Sequence, residues 1–298
     1  MSTIAFNDTI FAQEALKAFT ATLTPLRAFS RSLDDVAKNV GDAIIVPFIS
    51  AATATTFNVT SANYQTGGGE VTHNTVNLTS HKICTFDISD LQAANSSGAR
   101  FDQLAQQAGR ALGSLVLTDI WKLITVANFG AATLTTSEAS YTLAQIIALR
   151  TALAGRNVDV SPGMCAMLYN TVIGGTLLGS TNVLQAYAIG DNTPVRQGTL
   201  GRLVGFDTYE TNIMPTAAAT SLVAFACHPD AISIAMRYLE PLDASMYLGV
   251  ERVADDSGIV MGYRRSYDAA TGKMYGAFEC LYGTATGLTL GLVHCTKP

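Results

Sequence analysis

The chain has 298 residues, enough for a core that buries roughly three quarters of the unfolded surface in one large or two intertwined domains. Only 14% of them are charged, against about 25% in an ordinary soluble protein, while 48% are apolar and the mean hydropathy is +0.26. A net charge of −5 excludes the basic footprint of a tight nucleic-acid binder, and so little charge points to a surface covered by neighbours in an obligate assembly.

The N-terminus, MSTIAFNDTIF, has no basic stretch followed by an apolar run, so no secretory leader is expected. Residues 1–41 read as an arm. Ile10, Phe11, Leu16 and Phe19 make one short apolar stripe; Leu26, Phe29, Leu33 and Val36 make a second, closed by Gly41. Two amphipathic pieces without a core of their own must lie on something else, and a neighbouring subunit is the expected support, with Phe11, Phe19 and Phe29 as its contacts. Residues 42–90 read as a very long hairpin. Ala43-Ile44-Ile45-Val46 is β-rich, Pro47 confines it to an edge or a strand end, and the return leg alternates Val76/Leu78 and then Cys84/Phe86/Ile88. No charge occurs from Ala43 to Gly69, and Thr66, Gly67, Gly68, Gly69 and Glu70 form the stretch expected to touch the next subunit.

Arg100–Asn128 predicts one long helix with Phe101, Leu104, Ala108, Leu112, Leu115, Ile120 and Leu123 on a single stripe. Asn95-Ser96-Ser97 offers caps and Gly130 a stop. Gly109 and Gly113 share one face, each costing about 1 kcal/mol against Ala, so another backbone is expected to pack there. Thr142 then caps Leu143–Gly155, Met164–Tyr169 reads as a central strand, Asn170 caps the helix that follows, and Leu222–Ala226 is another buried strand. The chain ends in a meander of Met246–Val253, Ile259–Tyr267 and Met274–Tyr282. Helices and strands do not alternate regularly, so the fold class is α+β.

Chemistry is sparse. Gly198, Gly201 and Gly205 fit neither the dinucleotide nor the phosphate-loop spacing. Cys227 and His228 are adjacent, which in a strand puts them on opposite faces and not in a nucleophile–base pair. His73 and His81 lack Cys or carboxylate company at metal spacing, and the five cysteines show no C-x-x-C, reading as small buried hydrophobes. No catalytic, cofactor-binding or metal residue is assigned, and neither an enzyme nor a membrane span is expected, because the apolar run between Asp159 and Asp191 is broken by Gly, Pro and Asn.

Gly201-Arg202-Leu203-Val204-Gly205-Phe206, followed by a β-rich stretch and Thr211-Asn212-Ile213-Met214-Pro215, resembles the major capsid proteins of tailed bacteriophages. The order around it adds to the likeness: Gly41-Asp42 through Pro47, the hairpin ending in His81-Lys82, the long helix, then a strand leading into His228-Pro229-Asp230-Ala231 and an expected apolar helix. The resemblance implies the Hong Kong 97-type fold, with an N-terminal arm at 1–41, an extended loop at 42–83, a peripheral domain from 84–140 and 227–282 on a spine helix at 100–128, and an axial domain at 141–226 rejoined by 283–298. It further implies self-assembly into an icosahedral shell as hexamers and pentamers, scaffolding protein and portal as partners, double-stranded DNA held by confinement, and residence in the virion after synthesis in the host cytoplasm. Some relatives cross-link a loop lysine to a neighbour's asparagine; no lysine occurs here from Ala43 through Ser80. Encapsulin shells share the fold, though the long arm speaks against that reading. A cytosolic α+β enzyme would instead be a monomer or small oligomer with a polar pocket.

Overall fold

Apolar side chains at helical spacing open the chain in α1 (Asp8–Thr22), followed by a 3-10 turn at Thr24–Ala28 and a short β1 (Ser30–Ser32). Then come β2 (Ala43–Ile49), β3 (Val71–Asn77), β4 (Ser80–Ser89), α2 (Asp90–Asn95), α3 (Gly98–Trp121), α4 (Val126–Phe129) and β5 (Leu134–Thr135). The middle holds α5 (Leu143–Gly155), β6 (Ala166–Asn170), α6 (Thr171–Leu178), β7 (Arg202–Leu203), β8 (Phe206–Thr211) and β9 (Leu222–Cys227). The end holds β10 (Ile232–Arg237), β11 (Gly249–Ala254), β12 (Val260–Asp268), β13 (Lys273–Thr286) and β14 (Leu292–Thr296). The computed structural model describes residues 8–32, 43–49, 56, 60, 71–95, 98–180, 200–214 and 221–298.

Two six-stranded sheets and one hairpin organise these elements. The first sheet runs β1-β10-β13-β12-β11, with β4 also on β13. At 14 residues β13 is long enough to hold β12 along Lys273–Glu279, β10 along Leu281–Thr286, and β4 on its other edge up to Tyr282. The second sheet runs β5-β14-β9-β6-β8-β7, and its central β9 is buried at every position. Asn170 accepts from the Ile173 amide at 3.0 Å and starts α6, while Thr142 and Gln145 form a capping box that starts α5. At β7–β8 the two-residue turn Val204-Gly205 has φ of 53° and 89°, the mirror-image hairpin geometry that normally asks for Gly or Asn.

α1 and α3 cover one face of the first sheet. A Cβ on Gly109 would collide with the Ala15 carbonyl oxygen, and one on Gly113 would lie 2.9 Å from the Thr22 side chain, so the two glycines are where the α1 backbone comes in. This is the close approach that their cost in a helix predicts. Three other expectations are corrected. The long helix stops at Trp121, because the β-branched run Ile124-Thr125-Val126 disfavours helix and Thr125, extended at φ −127°, caps α4 through the Asn128 amide. Gly130 at φ 81° ends that short helix instead. Leu115 is exposed, and Val116, Leu117 and Trp121 fill the core in its place. The segment after Pro229-Asp230-Ala231 is the strand β10 and not a helix: Ile232, Ile234 and Met236 face the helices while Ser233 and Ala235 are covered on the other side, so alternation was hidden by burial of both faces.

Candidate assembly surface

The arm residues come first. Phe11 is 3% exposed, Phe19 0% and Phe29 3%, all inside the subunit's own core. The Phe11 ring lies 5.4 Å from Phe86 and from Phe278 and 5.5 Å from Tyr263; the Phe29 ring lies 5.9 Å from Trp121 and 6.2 Å from Phe225. Asp8 pairs with Arg265 at 2.8 Å and fixes the start of α1 to β12. Burial raises the Asp8 carboxyl despite the opposing pull of Arg265. These three phenylalanines are therefore core, not surface contacts, because the first sheet and α3 supply the apolar bed that was expected from a neighbour. Thr66, Gly67, Gly68, Gly69 and Glu70 lie outside the described residues, as do Leu33 and Val36 of the arm and the Ser96-Ser97 cap.

β2 and β3 pair antiparallel from Ala43↔Asn77 to Ile49↔Val71, with Pro47 opposite His73. Ile44, Val46, Val76 and Leu78 are buried against Ala235 and Leu281 of the first sheet, whereas Ile45 is 63% exposed and His73 and Thr75 share its open character. The hairpin thus packs on the sheet face opposite α1 and α3.

Two charged clasps hold the frame beneath it. Asp119 on α3 accepts from Lys82 at 2.7 Å, Lys122 at 2.8 Å and the Tyr282 hydroxyl at 2.9 Å. Burial pushes its carboxyl up, but those three bonds outweigh it and bring the pKa down to about 2. Glu279, buried on β13, lies 3.0 Å from the His81 ring and 2.5 Å from the Arg264 guanidinium, which also stands over the Tyr247 ring. His81 accordingly has the carboxylate company that sequence spacing did not show, because strand register brings the two together. Leu242, Met246 and Leu248, between β10 and β11, are exposed apolar residues on the same subunit.

Cys227 and His228 do not form a nucleophile–base pair. Cys227 is fully buried and His228 lies outside it, capping the Asp230 amide. Burial pushes the thiols up, Cys165 to about 11, Cys280 to about 12 and Cys295 to about 11, far from the thiolate a nucleophile needs. Among the described residues no group of three or more His, Cys, Asp or Glu is placed to hold a metal ion, and no helix is long and apolar enough to cross a membrane.

A family model described as phage capsid protein matches residues 85–280, more than half of the chain. No curated protein matches the sequence at a significant level. Among solved structures, one from Mycobacterium phage Che8 superposes with a TM-score of 0.63 at 16% identity, covering 93% of this chain and 90% of that one. The capsid of the cyanophage P-SCSP1u gives 0.59 at 11% identity, covering 91% and 86%. A virus-like particle from Pyrococcus furiosus gives 0.56 at 10% identity, covering 96% and 98%. At such identities these likenesses speak for the fold, and the family match speaks for the role. The chain belongs to the phage capsid protein family, as a major capsid protein of the Hong Kong 97-type fold that assembles into the shell of a virion.

Proposed function

We propose that the chain forms hexamers and pentamers of itself that close into an icosahedral shell around the double-stranded DNA of a tailed bacteriophage, with scaffolding protein and portal as assembly partners. The match of residues 85–280 to phage capsid proteins is the observation that carries this reading. In it the first sheet with α1 and α3 serves as the peripheral domain, and the second sheet as the axial domain whose loops face the five- and six-fold axes. The β2–β3 hairpin is the base of the extended loop, which reaches the next subunit through Thr66–Glu70. Synthesis takes place in the host cytoplasm, and the subunit does no catalysis. With a net charge of −5 the subunit has few cations to exchange for counterions, so DNA is held by confinement with a shallow salt dependence.

A second reading, an encapsulin-type shell, draws on the Pyrococcus furiosus particle, whose match covers 96% of this chain. Electron microscopy and sedimentation of the chain expressed alone test the common claim: closed shells or large oligomers are expected, and a stable compact 31.4 kDa monomer overturns both. Long double-stranded DNA in particles purified from infected cells supports the first reading; packaged protein cargo and no genome supports the second.

A further inference from the structure

On the sheet face opposite α1 and α3, β13 presents Leu281, Gly283 and Ala285, and β10 presents Ala235 beside them. These mostly small residues leave a flat strip, and the foot of the hairpin lies on it. A Cβ on Gly283 would collide with the Asn77 carbonyl oxygen and stand 2.9 Å from the Val76 side chain. One on Gly287 would strike the Asp230 carbonyl oxygen and reach the Asn74 side chain at 3.2 Å. The Asn74 side-chain amide donates to the Thr286 carbonyl at 2.7 Å, on a stretch of β13 that β4 does not cover, since that pairing ends at Tyr282. The Thr79 amide donates to the Asn77 carbonyl at 3.0 Å, a tight turn that hands β3 directly to β4.

We infer that this strip is a seat that fixes the angle at which the hairpin leaves the subunit, with Gly283 and Asn74 as its positioning residues for contact with a second copy of this chain. A two-stranded hairpin is marginal alone, and this one keeps Ile45 exposed on its free face. The seat supports one side and leaves the other for a partner. The leverage is large: strands of seven residues extend about 23 Å, so a tilt of roughly 10° at the foot moves the far end by about 4 Å, more than a packed contact tolerates. The partner's identity rests on the shell reading; the seat is a property of the single subunit.

Gly283→Ala tests it. The variant should melt cooperatively, exchange its β3 amides faster than wild type, and give shells that are absent or heterogeneous in diameter. Uniform shells of wild-type diameter overturn the positioning role, whether or not exchange is faster. Should Gly283→Ala fail to fold, Asn74→Ala decides, because it leaves every strand pairing intact. It should speed β3 amide exchange about fivefold, the effect of one net hydrogen bond, and raise the share of misshapen particles. Unchanged exchange or unchanged particle uniformity overturns the inference. If wild-type subunits form no shells at all, the shell reading fails, while the exchange comparison still decides whether the seat exists.

Discussion

Asp119 accepts from three different places at once: β4 through Lys82, the turn after α3 through Lys122, and β13 through Tyr282. Its folded pKa of about 2 lies below the 3.8 of a free aspartate. The clasp therefore contributes its full stability above the unfolded value and loses it as pH falls from about 4 through about 2, a contribution of roughly 2 kcal/mol. Asp119→Asn should lower stability at neutral pH by about that amount and flatten the acid limb below pH ~4 in a urea titration series. Equal stability of the two proteins at pH 7 would show that the clasp is ornamental. None of this was legible in the sequence, where nothing marks Asp119 as the meeting point of three elements. A carboxylate's partners from other strands depend on register, and the same blindness hid Glu279 from His81.

Among the elements, α1 is the one whose meaning changed. Its stripe was legible, because spacing alone shows which face is buried. Spacing does not say against what, and a stripe lacking enough area for its own core points to a neighbour. The clue to its true partner lay in α3: Gly109 and Gly113 announce a close backbone, and that backbone is α1. Gly109→Ala separates the two accounts by sign. In a free-standing helix it should stabilise by about 1 kcal/mol, whereas under α1 it should destabilise by about 1–3 kcal/mol through overpacking, measured by denaturant melts. Removal of residues 2–32 should go further and abolish the cooperative melt. Burial of Phe11, Phe19, Leu26 and Phe29 at about 1.5–3 kcal/mol each rivals the whole stability of a typical domain. A truncated chain that still melts cooperatively would return α1 to the role of a lattice arm. The end of α3 shows the opposite limit: Ile124 and Phe129 are buried too, so apolar periodicity ran through a break that only the β-branched triplet signalled.

At the scale of the whole molecule, order was more legible than any single site. The β-rich legs, the helix with its glycines, the buried strands and the final meander fall in the sequence as the hairpin and the two sheets need them, and the family match covers the part from 85 to 280. The stretch proposed as a contact, Thr66–Glu70, was marked only by composition and lies outside the described residues. An isopeptide cross-link joins an amine to a carboxamide across subunits, so it needs a lysine free to reach a neighbour. From Ala43 through Ser80 there is none, and Lys82, just beyond, is held 2.7 Å from Asp119 of its own chain, on a strand paired to β13 along its whole length. To react outward, Lys82 would have to leave a carboxylate that depends on it and break the frame under the hairpin. The lattice should therefore be non-covalent, with each contact drawn from apolar and backbone groups on sparsely charged surfaces. Mature particles boiled in denaturant should run as one band near 31.4 kDa, and they should do so with or without reducing agent, since every cysteine is a free thiol. A ladder of oligomers that survives reduction would mean that a lysine elsewhere on the chain reaches a neighbour's asparagine; mass spectrometry of the cross-linked peptide would then name it.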